Sequence, residues 1–141
     1  MRNQLIFILA LLAVPLQTQA ACGYISATAK PPQSAGIYPA DIVRIDGKDT
    51  PKRALNRYPL PVGKHAIAIQ EQVASTPRGY TLLRKLGNQA TAVVLKIIEI
   101  DVKPNMSYQL GAKLDKAKID RKQPDAFWEP VVWQELAVKC G

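Results

Sequence analysis

A chain of 141 residues, 48% hydrophobic and 21% charged, is long enough for one domain with a real core and short for two. Its 19 Lys+Arg against 11 Asp+Glu leave a net charge of +8, which favours anionic surfaces and polymers without specifying one. Two cysteines and a lone histidine, scattered along the chain, argue against a zinc site, which draws on close-spaced ligand pairs.

The first element predicted is a signal peptide over residues 1–20. Arg2 precedes an apolar run from Leu5 to Val14, Pro15 breaks it, and small residues follow at Ala20 and Ala21. The run is shorter than the ~20 residues a spanning helix needs. Thr18-Gln19-Ala20 offers a cleavage site, which leaves residues 21–141 as a single exported domain, periplasmic or extracellular. Gln19-Ala20-Ala21-Cys22 also has the shape of a lipoprotein signal, so a protein anchored through an acylated Cys22 is the alternative. Its third residue before the cysteine is Gln19, where such signals carry an aliphatic residue. In an oxidising compartment Cys22 and Cys140 are expected to form a disulfide. Closing a loop of that length is worth about 4–5 kcal/mol at most.

After the leader the apolar pattern runs at period two in short segments between turns, as half-buried strands do. Cys22–Ala29 reads as the first strand and residues 30–36, KPPQSAG, as a loop. DIVRID, residues 41–46, alternates and ends at an Asp46-Gly47 turn. HAIAIQEQV, residues 65–73, places His65 with Ile67 and Ile69; Thr76–Gly79 is a loop. TAVVLKIIEIDV, residues 91–102, is the strongest apolar run, and Lys103-Pro104-Asn105 turns the chain. SYQLGAKL, residues 107–114, puts Tyr108, Leu110, Ala112 and Leu114 on one face. Residues 113–122 form a solvated charge run, and WEPVVWQELAV, residues 128–138, closes the chain with an interruption at Pro130. This is all-β, a single antiparallel β-sandwich of about seven strands. Ile67, Ile69, Leu95, Ile97 and Leu110 are the expected core.

Val43, Ile45, Asp46, Gly47, Thr50, Pro51, Leu60, Gly63, His65, Ile67 and Ile69 resemble the motif of PEGA-like modules of exported and surface proteins. There an Asp-Gly turn ends one strand, Thr-Pro follows, and a later glycine opens a strand with His two residues on. The resemblance covers residues 43–69. It departs in lacking the extra glycine before Thr-Pro, and in Pro61-Val62-Gly63 where Pro-Gly is commoner. It implies an immunoglobulin- or transthyretin-like sandwich serving display and interaction, with no catalytic residues. The C-terminal half (Tyr108, Gln109, Leu110, Ala112, then Trp128-Glu129-Pro130 and Cys140) is similar to the closing part of small secreted proteins of unknown function.

No Gly-x-Ser-x-Gly nucleophile elbow is present, and His65 is expected to be a hydrogen-bonded edge residue. The carboxylate pairs Asp46/Asp49 and Glu99/Asp101 are read as a capped turn and a solvated ion-pair face. Of the aromatics, Trp133 is expected in the core and Trp128 on the surface. The candidate anion-binding residues form two clusters: Lys48, Lys52, Arg53 and Arg57, then Lys116, Lys118, Arg121 and Lys122. Export and the lack of interleaved aromatics argue against nucleic acid. The expectation is a non-catalytic cell-envelope domain, without cofactor or metal, that meets an envelope component or partner protein. The alternative is a binder of a small anionic ligand, or of an anionic glycan or lipid surface, through the basic loops.

Overall fold

A computed structural model describes residues 22–51, 56–85, 94–118 and 126–139. Within them the chain forms β1 (Cys22–Ser26), β2 (Ile37–Tyr38), β3 (Ala40–Ile45), β4 (Lys48–Asp49), β5 (Arg57–Pro61), β6 (Gly63–Glu71), α1 (Pro77–Lys85), β7 (Lys96–Val102), β8 (Met106–Leu114) and β9 (Trp128–Ala137). The strands make two facing sheets, an all-β sandwich.

The first sheet is built around β8. β9 runs antiparallel along its full length on one edge. The other edge is shared by β1, parallel at Ser107–Gln109, and β2, antiparallel at Ala112–Lys113. β5 pairs antiparallel outside β1; Pro59 and Pro61 fit there because an edge strand can do without their N–H groups. The second sheet has the order β4-β3-β6-β7, antiparallel throughout. The parallel β1–β8 pair departs from a purely antiparallel sandwich. It is reached because the chain lays down the whole second sheet between the two strands, the long crossover that parallel pairing needs.

Alternation sends Ile25, Tyr58, Leu60, Tyr108, Leu110, Ala112 and Trp128 of the first sheet against Ala40, Ile42, Ile67, Ile69, Ile100 and Val102 of the second. Each large apolar side chain buried here contributes about 1.5–3 kcal/mol. β7 stacks over β9, and β6 over β8 and β9.

Four expectations are corrected by these contacts. Ile67, Ile69 and Leu110 are core, but Ile97 is 67% exposed and Leu95 only half-buried. On β7 the inward residues are Ile98, Ile100 and Val102, while Ile97, Glu99 and Asp101 face water. The two carboxylates share the parity of Leu95 and Ile97, and burying them unpaired costs more than exposing one isoleucine. Trp128, expected on the surface, is 2% exposed. It sits opposite Leu114 at the first inward position of β9, under the Lys96 ammonium 5.0 Å from its ring. Trp133, expected in the core, is half-buried on the outer face. Pro130 does not interrupt β9. The irregularity falls later, where Gln134 opposes Gln109 and Val132 opposes Leu110, so a bulge leaves Trp133 as the extra residue.

The loop expected at Thr76–Gly79 instead opens α1. Thr76 stands at the N-cap, its Oγ1 accepting the Gly79 N–H at 3.0 Å, and Pro77 takes the first helical position, where its missing donor costs nothing.

Candidate functional site

The Asp46-Gly47 turn joins β3 to β4. Both residues hold positive φ, 51° and 79°, the arrangement of a tight hairpin turn that Asp-Gly favours. The same aspartate clasps β6. Its N–H donates to the Ala66 carbonyl at 2.8 Å, and its Oδ1 accepts the Ala66 N–H at 2.9 Å. Its Oδ2 lies 2.6 Å from His65 Nδ1, and His65 Nε2 lies 2.8 Å from the Pro61 carbonyl.

Each imidazole nitrogen therefore faces an acceptor, and only the doubly protonated ring can donate to both. The hydrogen bond from Asp46 raises the His65 pKa above its usual 6.5, against the opposing effect of burial and with help from the Pro61 carbonyl. The Asp46 pKa falls below 3.8, first through the His65 hydrogen bond, then through the Ala66 N–H. The histidine side chain is 12% exposed and the aspartate 47%. Both ring nitrogens are engaged in holding the β5–β6 corner to the β3–β4 turn. His65 is the hydrogen-bonded residue expected, at the rim of the inner face.

The basic candidates divide by place. Lys48 on β4 and Arg57 on β5 are exposed. These are edge strands of different sheets on the same side of the sandwich, linked where Tyr58 OH donates to the Pro51 carbonyl at 3.0 Å. The Arg57 guanidinium stacks 4.0 Å over the Tyr24 ring. Lys52 and Arg53 lie outside the described residues, as do Arg121 and Lys122. Lys116 and Lys118 stand in a short 3-10 turn after β8. Lys118 is shared between Glu129 at 3.4 Å and Asp115 at 3.8 Å.

Lys116 has company that the sequence reading missed. It lines a groove of about 450 Å³ with Tyr38, Pro77, Arg78, Thr81 and Leu82. Arg78 reaches that groove because α1 exists, and Thr76-Pro77 was the available signal for the helix. Of the carboxylate pairs, Asp101 is bound by Lys103 at 2.6 Å on an exposed face, and that hydrogen bond lowers its pKa. Asp49 pairs with Arg44 at 2.7 Å. Among the described residues no group of three His, Cys, Asp or Glu side chains is placed to hold a metal ion.

At the chain's ends, Asn105 bridges two backbones. Its N–H donates to the Cys22 carbonyl at 2.8 Å, and its own carbonyl accepts the Val138 N–H at 2.9 Å. No described cysteine is free; Cys140 lies outside the described residues. Comparison with protein-family models, curated proteins and solved structures returns no match to this chain.

Proposed function

We propose that this protein is a non-catalytic, exported domain of the cell envelope that binds an envelope component or a partner protein. The observation that carries the reading is the engagement of His65. The chain's single histidine uses both nitrogens to pin a turn, and the partner of its Nε2 is a backbone carbonyl, which is no nucleophile to activate, as befits a structural clasp. The clasp also supports the PEGA-like resemblance, because Asp46, Gly47, Gly63 and His65 of that motif are the residues that build this corner. A Cys22–Cys140 disulfide belongs to the same reading. Its support is that Cys22 and Val138 both hydrogen-bond to Asn105, which brings the start of β1 near a backbone two residues short of Cys140.

The test is co-sedimentation of the mature protein with peptidoglycan and with anionic vesicles, beside a variant carrying Lys48→Glu, Lys52→Glu, Arg53→Glu and Arg57→Glu. Lys48 and Arg57 are exposed, and changes at such surface charges alter stability by within about 0.5 kcal/mol each, so the variant is expected to fold. Wild type should be retained, and less so as salt rises; the variant should be lost to the supernatant. A folded variant that sediments as well as wild type removes these four cations from the interface. A second reading, a small anionic ligand held at the α1 groove, is favoured by the pairing of Arg78 with Lys116 there. It predicts that Arg78→Glu, rather than the quadruple Lys/Arg variant, abolishes binding.

A further inference from the structure

The outer face of the first sheet is not built like a solvated sheet face. Along β8 the residues that alternate away from the core are Ser107, Gln109, Gly111 and Lys113. The first three are buried, Ser107 at 3% and Gln109 at 8% exposure. Ser26, which pairs with Gln109 across the β1–β8 ladder, is 1% exposed. Larger side chains stand on the flanking strands: Tyr24 on β1, Ile37 on β2, Trp133 on β9. The face is a trough with β8 as its floor.

Three features of the trough converge on one kind of ligand. Gln109 Oε1 is buried without a hydrogen-bond partner, and a buried acceptor left unmade costs about 1–3 kcal/mol. Leucine would fill the same place without that cost, so the amide asks for a donor. Next to it, the Trp133 indole lies across β8, its Nε1–H donating to the Leu110 carbonyl at 3.3 Å. It can lie there because Gly111 has no Cβ; one would stand 3.1 Å from the indole Cδ1 and 2.9 Å from Ile37. Cations flank the trough: Arg57, across Ser26 from Gln109 and stacked on Tyr24, and the exposed Lys113 beyond Gly111.

We propose that this trough binds an acidic oligosaccharide. A ring hydroxyl donates to Gln109 Oε1, the C–H face of a sugar packs on Trp133, and carboxylates meet Arg57 and Lys113. From Ser107 to Lys113 the floor runs seven residues, about 20 Å over six steps of ~3.4 Å, which suits a short chain better than one ring. An extended peptide docks on a strand edge with open backbone groups, whereas β8 is paired on both edges. A lipid chain would leave the Gln109 acceptor unmade. Directly across the ladder from Gln109, Gln134 is exposed.

This inference deepens the envelope reading and rests on it for where the ligand is met. The test is titration of tryptophan fluorescence with tetragalacturonate, and with chitotetraose as a neutral chain of equal length. The chain has two tryptophans, and Trp128 is shielded in the core, so Trp133 reports. Wild type should give a saturable shift with tetragalacturonate that weakens with salt, at least about tenfold tighter than with chitotetraose. Trp133→Phe should lose the signal. Gln109→Leu should bind about tenfold or more weakly while melting at or above the wild-type temperature. Absence of saturation at millimolar tetragalacturonate, unchanged binding by Gln109→Leu, or a lower melting temperature for that variant overturns the site. If tetragalacturonate fails while envelope co-sedimentation persists, the trough is wrong and the envelope reading stands; if both fail, both fall.

Discussion

Replacing Asp46 with Asn isolates one charge. Asn tolerates the left-handed backbone at this position, so the turn keeps its shape while the carboxylate is lost. A hydrogen bond to a charged partner contributes about 1.5–3 kcal/mol, and exposed ion pairs about 0.2–1. His65 is mostly buried but Asp46 is half exposed, which places the pair near about 1–2 kcal/mol between those cases. The pH dependence follows from the two shifts. The His65 pKa is raised in the folded state, so its contribution is complete below the unfolded value of about 6.5 and fades as pH rises through the folded one. The Asp46 pKa is lowered, so its contribution is present above about 3.8 and fades as pH falls through the folded value. The pair is strongest between these limits. Urea titrations should find Asp46→Asn less stable than wild type by about 1–2 kcal/mol near pH ~6 and by less than about 0.5 near pH ~9.5. An NMR titration should place the His65 pKa above 6.5 in wild type and lower in the variant. A stability difference independent of pH, or a wild-type His65 titrating below 6.5, would refute the clasp.

The register of β7 makes a paired prediction. Ile100→Ala should cost about 2–5 kcal/mol by leaving a cavity between the sheets, and Ile97→Ala within about 0.5, both by urea denaturation; the reverse order would mean that the strand faces the other way. For the termini, non-reducing mass spectrometry of the mature protein should show a mass two hydrogens below the dithiol and no diacylglycerol. Reduction should lower stability by up to about 4–5 kcal/mol, and a lipidated Cys22 would rule out both the bridge and a soluble product.

Much of this fold was legible in local chemistry. Asp46-Gly47 marks its hairpin because few residue pairs accept positive φ twice, and the turn lies where those letters stand. Tyr108, Leu110, Ala112 and Leu114 declare the inner face of β8 because alternation alone sorts them. Each of these rests on interactions spanning a few residues.

What stayed hidden depends on partners distant in the chain. Apolar residues at Ile97, Ile98 and Ile100 fit either face of β7; pairing with β6 and the need to solvate Glu99 and Asp101 select one. Trp128 and Trp133 exchange their expected places because pairing with β8 sets Trp128 opposite inward Leu114, and alternation over five residues then carries Trp133 to the other face; register is a property of two strands together. His65 finds Asp46 nineteen residues away, and Arg78 meets Lys116 only once α1 packs beside the turn after β8. Composition and period determine that the chain buries two faces against each other. Which residues line the outer trough, and which oxygen there lacks a donor, is decided by strand register, because a shift of one residue exchanges every inward side chain for an outward one.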